Sequence, residues 1–162
     1  VRDQHTMIAE HIGDKGLERA AAQTSKRTYD LPEFLVDVLD VTDVGAYFPH
    51  SVTYHPSCHG RRLIRLGDRP LKLLQNVRGM TLVDLPAEEQ CCGFGGTFSV
   101  KNPDVSAAMA ADKARHVRET GAEYVVAGDN SCLLNIGGVL SRQNSGVKPI
   151  HLAEILANTE ED

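Results

Sequence analysis

The sequence predicts an α/β fold in which a small open parallel β-sheet of about four strands is flanked by helices and preceded by an N-terminal helical arm. From about residue 50 onward, short β-rich runs alternate with segments of helical length, an order typical of βαβ units. Before residue 50 there is helical periodicity but no comparable β-rich run. We therefore predict an arm or linker over residues 1–49 and a C-terminal domain over residues 50–162.

The arm is predicted to contain two helical segments. Ile8, Ile12 and Leu17 recur at roughly helical spacing and indicate the first one. The second begins around residues 30–33, where an aspartate, a proline and a glutamate form a typical helix start, and it continues through the apolar residues of 34–39. The chain begins with Val1 rather than Met, which we interpret as the sign of a fragment from which an upstream domain is missing.

The domain is predicted to alternate strands with helices, each bounded by glycine, proline or a capping residue. The predicted strands cover residues 51–55, 80–85, 122–127 and 147–150. The predicted helices begin after Asp68 and stop at Gly79, run from Asn102 to Thr120, extend from about Asn130 through Leu140, and cover His151 to Ala157.

Composition and charge exclude several classes of protein. The chain has 17 basic and 22 acidic residues, a net charge of −5, and its basic residues are scattered, so we expect no nucleic-acid partner. No apolar stretch approaches the roughly 18 residues of a membrane span, and no secretory signal is recognisable. We therefore expect a cytoplasmic protein with no membrane span.

The four cysteines follow three successive predicted strands. Cys58 follows the first strand, Cys91 and Cys92 follow the second, and Cys132 follows the third at a helix start. The carboxyl ends of parallel strands converge at one edge of the sheet, where ligand sites assemble. In a reducing compartment, cysteines favour metal binding or redox chemistry over structural disulfides. The sequence therefore predicts a metal site with these four cysteines as ligands.

The adjacent pair Cys91 and Cys92 favours an iron-sulfur cluster over zinc. Two consecutive side chains cannot easily reach one tetrahedral zinc ion, whereas they can bind different irons of one cluster. Gly93, Gly95 and Gly96 are predicted to contribute cofactor-binding backbone N–H groups around the anionic sulfurs. The helix start at Cys132 is expected to favour the thiolate of that residue.

Other interpretations of the cysteines stay open at this point. His55 and His59 flank Cys58, so a Cys/His zinc site is conceivable, although we interpret both histidines as supporting residues. The cysteines could also form a thiol-disulfide redox module, or be buried small residues of a docking scaffold. His151 is interpreted as a packed or capping residue.

Several motifs together resemble a known family. They are YHPSCH over 54–59, CCGFGGTFSVK over 91–101, the segment Asp129 to Cys132, and HLAEIL over 151–156. The sequence resembles the cysteine-rich CCG domains of heterodisulfide reductase and of the glycolate oxidase iron-sulfur subunit. Within that superfamily it is most similar to the lactate utilization protein A family, and the similarity extends through the arm, including YDLPEFLVDVL.

This resemblance implies a cytoplasmic, non-flavin electron-transfer subunit of an oxidoreductase that converts L-lactate to pyruvate, with a glycolate oxidase-like iron-sulfur subunit as the alternative. It implies a cluster, expected to be of the 4Fe-4S type, with zinc as the alternative metal. The implied partners are other subunits of the lactate utilization system and an upstream CCG domain of the same protein. By position, Cys58, Cys91, Cys92 and Cys132 match the family's cysteines. Asp129 stands where the family pattern often has a further cysteine. Only one CCG copy is present in this sequence.

Overall fold

The central feature of the computed structural model is a parallel β-sheet with helices on both faces, which confirms the predicted α/β class. The structure describes residues 1–2 and 4–160, so Asp3 of the predicted arm and the last two residues of the predicted domain lie outside it. Within these residues four strands pair in the order β2-β1-β3-β4. They are β1 (Ser51–Tyr54), β2 (Thr81–Val83), β3 (Tyr124–Ala127) and β4 (Lys148–His151).

The strand order places the carboxyl ends of all four strands at one edge. Strand β1 pairs with β2 through Ser51↔Thr81 and with β3 through Val52↔Tyr124, and both pairings are parallel. The chain leaves β1 toward one side of the sheet and returns to its other side as β3, so a topological switch point lies between these two strands. Ligand sites in open parallel sheets form at this position.

Eight α-helices are found among the described residues, and α6 is the longest at 17 residues. None of them is both long enough and apolar enough to cross a membrane. Two short π-helical segments, Phe34–Val38 and His59–Leu63, accompany them. The helices are α1 (Gln4–Ile12), α2 (Lys15–Ser25), α3 (Leu31–Glu33), α4 (Arg69–Gln75), α5 (Thr97–Lys101), α6 (Pro103–Glu119), α7 (Asn130–Arg142) and α8 (Leu152–Ala157).

The first helical segment of the arm is interrupted, contrary to the prediction of one continuous helix. Gly13 has a φ of 76°, and Asp14 caps α2 by accepting the backbone N–H groups of Gly16 and Leu17. A left-handed glycine followed by an N-cap ends one helix and begins another. The second segment begins as predicted, with a capping box between Asp30 and Glu33, and then continues as π-helix.

The two faces of the sheet carry different cores. Adjacent residues of β3 point to opposite faces, with Val125 in one core and Val126 in the other, as the two-residue period of a strand requires. The apolar layer, packed under α4 and α8, consists of Ala46, Phe48, Val52, Leu73, Leu74, Val77, Val126, Leu152, Ile155 and Leu156. The cysteine layer, packed under α6 and α7, contains Leu85, Cys92, Ala114, Val117, Val125, Cys132, Ile136 and Leu140.

Close packing fixes α7 against β4. A Cβ atom added at Gly137 would lie 2.8 Å from Cγ of Pro149, so this helix approaches the strand at a distance that only glycine permits. Residues of the arm also reach the domain, because Leu35 and Val36 pack against the apolar layer and Arg69 of α4 binds Asp37 at 2.8 Å. The division at residue 50 stays a prediction.

Candidate metal centre

The four cysteines lie along the carboxyl edge of the sheet. Cys58 is exposed and comes between β1 and the π-helical segment, while Cys91 is half-buried in the loop after β2. Cys92 and Cys132 are buried, the latter in the first turn of α7 after β3. The parallel sheet therefore brings together Cys58, the adjacent pair Cys91 and Cys92, and Cys132, three positions that are more than 30 residues apart in the sequence.

Cys92 and Cys132 are in direct contact. Their Sγ atoms lie 3.0 Å apart, and both are free thiols. The hydrogen bond between these two side chains, with a further contribution from nearby His55, lowers the pKa of Cys92 to about 4. The same bond raises the pKa of Cys132 far above that of an ordinary thiol. The direction of these shifts favours the thiolate at Cys92 over that at Cys132 in the metal-free pair, which is opposite to the expectation from the helix start.

Cys91 and Cys58 form a second pair of neighbouring cysteines. Burial raises the pKa of the Cys91 thiol, whereas a hydrogen bond from the backbone N–H of Gly93, at 3.4 Å, lowers it. Cys58 is close enough to Cys91 to raise that pKa further. The structure thus places Cys58 beside Cys91 and Cys132 beside Cys92.

The glycines after the cysteine pair adopt backbone conformations that other residues avoid. Gly93, Gly95 and Gly96 have φ values of 86°, 55° and 59°. A Cβ at Gly93 would lie 2.6 Å from the carbonyl oxygen of Ser106 and 2.9 Å from Cβ of Met109, so α6 packs directly on this backbone. The turn directs the N–H of Gly93 at Cys91, while the N–H of Phe94 hydrogen-bonds to Cys92. Such a concave set of N–H groups suits an anion.

His55 is the histidine that the fold brings to the cysteines. Its backbone N–H donates to the carbonyl of Val126 at 2.8 Å, which holds it in line with β1. The side chain is 1% exposed, and neither ring nitrogen has a hydrogen-bond partner among the described residues. A ring nitrogen of His55 and the Sγ atoms of Cys92 and Cys132 all lie within 4.8 Å of one another.

An orphaned imidazole of this kind costs stability unless it has a ligand, since an unsatisfied buried polar group is unfavourable by about 1–3 kcal/mol. In the sequence, His55 and His59 carry equal weight because both flank Cys58. The structure separates them: His59 is exposed and lies in the π-helical segment. The strand period could have found the difference, because His55 follows β1 directly and continues the face of the buried Thr53, while Val52 lies on the other face.

Asp129 caps a helix rather than serving as a further member of the cysteine group. It is the N-cap of α7, and its Oδ1 accepts the backbone N–H of Ser131 at 2.8 Å and of Cys132 at 3.4 Å. Asn135, one turn further along α7, donates from Nδ2 to the carbonyl oxygen of Cys92 at 2.8 Å. Helix α7 therefore fixes both members of the buried thiol pair. His151 likewise caps α8 in a capping box, which confirms its interpretation as a capping residue.

Lys113 is a residue near the cysteines that the sequence-based predictions do not include. This lysine of α6 is 0% exposed, and its Nζ donates to the carbonyl oxygen of Ala87 at 2.7 Å. Its place was readable from the helical period, because Ser106, Ala110 and Val117 lie on the same buried face of α6. A lysine within such a stripe is unusual, since lysine is almost never fully buried unless paired.

Known proteins share the part of the chain that contains the four cysteines. The cysteine-rich CCG domain family matches residues 52–137, which include β2, β3, all of β1 except its first residue, and all four cysteines. Lactate utilization protein A of Oceanobacillus iheyensis is 52% identical over 144 residues, covering 89% of this chain and 59% of that protein. The corresponding protein of Lysinibacillus sphaericus is 46% identical over 144 residues, covering 89% and 63%. That of Geobacillus sp. strain WCH70 is 48% identical over 155 residues, covering 93% and 65%. The chain thus spans 59% to 65% of the length of these relatives.

Proposed function

The chain belongs to the cysteine-rich CCG domain family, and on that premise we propose that Cys58, Cys91, Cys92 and Cys132 hold an iron-sulfur cluster of the 4Fe-4S type. The observation that carries the proposal is the contact of the Cys92 and Cys132 thiols, 3.0 Å apart and buried, at the edge where Cys58 and Cys91 also lie. Thiolates are the protein ligands of such clusters.

The surroundings of the cysteines fit this group. The N–H groups of Gly93 and Phe94 can stabilise anionic sulfur, and the orphaned imidazole of His55 faces the same space. A cluster supplies one-electron transfer when it is bound. The protein's own contribution is to hold the thiols at a fixed spacing, which Asp129 does through the first turn of α7 and Asn135 does through the carbonyl of Cys92.

For the pathway, we propose a non-flavin electron-transfer component of a cytoplasmic system that oxidises L-lactate to pyruvate. Support comes from the name of the relatives, lactate utilization protein A, at 46% to 52% identity over most of this chain. The partners are then other proteins of that system and a second CCG domain upstream in the same protein. The relatives favour lactate over the glycolate oxidase-like alternative.

Anaerobic reconstitution with iron and sulfide tests the cluster. We expect the chain to bind both elements and to show thiolate-to-iron absorption and a reduced-state electron paramagnetic resonance signal. The matched control is the chain with serine in place of all four cysteines, treated in the same way. Failure of both the chain and its complete parent protein to retain iron would refute the proposal.

Growth on lactate tests the pathway. A bacterium lacking its own lactate utilization protein A is complemented with the complete protein that contains this chain, either unchanged or with serine at Cys91 and Cys92. We expect growth on L-lactate only with the unchanged protein, and equal growth of all strains on glucose. Rescue on glycolate rather than lactate would favour the alternative substrate.

A zinc site is the second candidate function, and the orphaned ring of His55 is the observation that favours it. One imidazole and two thiols within 4.8 Å are a reasonable partial ligand set for tetrahedral zinc. The zinc candidate predicts stoichiometric zinc that is lost in C132S and H55A, with no iron chromophore after reconstitution. Reversible loss of two thiols without any metal would instead favour a thiol-disulfide module.

A further inference from the structure

A buried lysine lies next to the cysteine group without an acidic partner. Lys113 makes no ion pair within residues 1–2 and 4–160, although its side chain is completely enclosed. Glu88 is the acidic residue near it, but the carboxylate of Glu88 is half exposed and bound to Arg61 at 3.2 Å. Buried charges in proteins are normally paired, because an isolated ammonium is costly to remove from water.

Besides Glu88, the groups near Lys113 that can carry a negative charge are the cysteines. Burial lowers the pKa of the ammonium, while Cys92, Glu88, Cys91 and Cys132 each oppose this by favouring the charged form. The helix itself brings Lys113 to this position. Met109 lies one turn before it on α6 and contacts the backbone at Gly93, while Ala114 packs in the same core as Cys92 and Cys132.

Lys113 also holds the loop that leads into the cysteine pair. Ala87 has a φ of 50°, a left-handed conformation that is unfavourable for a non-glycine residue. Its carbonyl oxygen accepts the N–H of Gln90 at 3.0 Å and the ammonium of Lys113 at 2.7 Å. The tight turn just before Cys91 is therefore fixed to α6 by this one side chain.

We infer that Lys113 is a positioning residue of the metal centre, which anchors the loop before Cys91 through the carbonyl of Ala87 and serves as the buried counter-ion of the thiolate-bound cluster. The inference rests on the proposed cluster but goes beyond it, because it assigns a role to a residue that is not a ligand. A fixed positive charge beside the cluster favours the state that carries one more electron.

The test compares K113M, which has similar length and no charge, with K113R, which keeps the charge and a donor. The matched control is K72M, which removes an exposed lysine from α4 on the opposite face of the sheet. All chains are reconstituted anaerobically and titrated with dithionite, which adds one electron to the cluster without proton uptake or bond cleavage. Iron release to a chelator and amide hydrogen exchange of residues 84–92 in the metal-free chains are measured in parallel.

We expect the equilibrium constant for one-electron reduction to fall about tenfold in K113M, equivalent to about 59 mV. K113M should also release iron faster and exchange its loop amides faster, while K113R and K72M stay close to the unchanged chain. If K113M does not fold, K113Q is measured in its place. An unchanged potential and unchanged loop exchange in chains that do bind the cluster would overturn this inference alone. No iron in either the unchanged chain or the complete protein that contains it would overturn the proposed function and the inference with it.

Discussion

The two layers on either side of the sheet differ in the polarity of their buried side chains. The apolar layer is made of aliphatic and aromatic side chains from helices α4 and α8, strands β1 and β3, and the segment around Phe48. The cysteine layer also has aliphatic residues, but polar groups are buried beside them, including Lys113, His55 and Thr53. The orphaned buried atoms found among the described residues are Oγ1 of Thr53, both ring nitrogens of His55 and Nδ1 of His116.

This difference separates the source of stability from the source of function. Burial of apolar surface favours folding, whereas each unsatisfied buried polar group opposes it. The sheet can hold both because its faces are independent: Val125 and Val126 are neighbours in sequence but belong to different cores. The apolar layer thus stabilises a fold whose other face buries polar side chains that have no hydrogen-bond partner among the described residues.

The largest expected effect is loss of metal from the cysteine layer with little loss of fold. C92A should lower the iron content at least about tenfold, because it removes a proposed ligand and the thiol that contacts Cys132. The metal-free variant should unfold at nearly the same denaturant concentration as the unchanged metal-free chain. Iron analysis and guanidinium unfolding measure the two quantities. Retention of the full iron content in C92A would contradict the assignment of metal binding to the cysteine layer.

The reverse substitution lies in the apolar layer. L74A should lower the free energy of unfolding by about 2–5 kcal/mol, because Leu74 is fully buried and its removal leaves a cavity. Iron per folded molecule should not change. The matched control is L134A, whose side chain is 72% exposed and whose substitution should cost less than about 0.5 kcal/mol. An equal loss in both variants would contradict the assignment of the core.

The contact of α6 with the cysteine loop gives the third prediction. G93A should cost roughly 2–4 kcal/mol, since it combines a left-handed backbone with a clash against Ser106 and Met109. G121A, at the other end of α6, has a φ of 68° but open space around it, so it should cost only about 1–2 kcal/mol. Urea unfolding of the metal-free chains measures both. Equal costs would show that the close approach to α6 contributes nothing.

A smaller effect, of opposite sign, is expected inside the cysteine layer. T53V replaces an unpartnered buried hydroxyl with a methyl group and should stabilise the metal-free chain by about 1 kcal/mol. The control is T81V, at an exposed position of β2, which should change stability very little. Thermal unfolding detects the difference. Destabilisation by T53V would mean that the hydroxyl is satisfied in solution.

The smallest effect concerns the ion pair that joins the arm to the rim of the apolar layer. The hydrogen bond from Arg69 lowers the pKa of the exposed Asp37 carboxylate below its usual value. The contribution of this pair is therefore fully present above the pKa of an unfolded aspartate, about 3.9, and is lost as the pH falls through the lower folded value. D37N should be slightly less stable than the unchanged chain at pH 7 and nearly equal at pH 2. A double-mutant cycle with R69M isolates the pair, and a constant difference between the two pH values would contradict it.

The sequence predicted those parts of the molecule that depend on short-range patterns. The predicted strands at 51–55 and 122–127 match β1 and β3, and Asn102 with Pro103 begins α6 as expected. The convergence of the cysteines also followed from the sheet topology. By contrast, which thiol loses its proton depends on the contact of Cys92 with Cys132, across 40 residues, and no local pattern encodes it. The strand and helix periods could have indicated that His55 and Lys113 are buried, but the role of each depends on what faces it from another element.

The glycine of α7 that faces β4 has a consequence for residues well away from it. Cys132 lies five positions before Gly137, which is about 7.5 Å along a helix axis. Because a Cβ at Gly137 would clash with Pro149, we expect this contact to influence the tilt of α7 on the sheet. A larger side chain there would lift the middle of the helix and swing its first turn, and with it the Cys132 sulfur, out of alignment with Cys92. We therefore expect the distance between the Cys92 and Cys132 thiols to depend on a helix-strand contact that involves no cysteine.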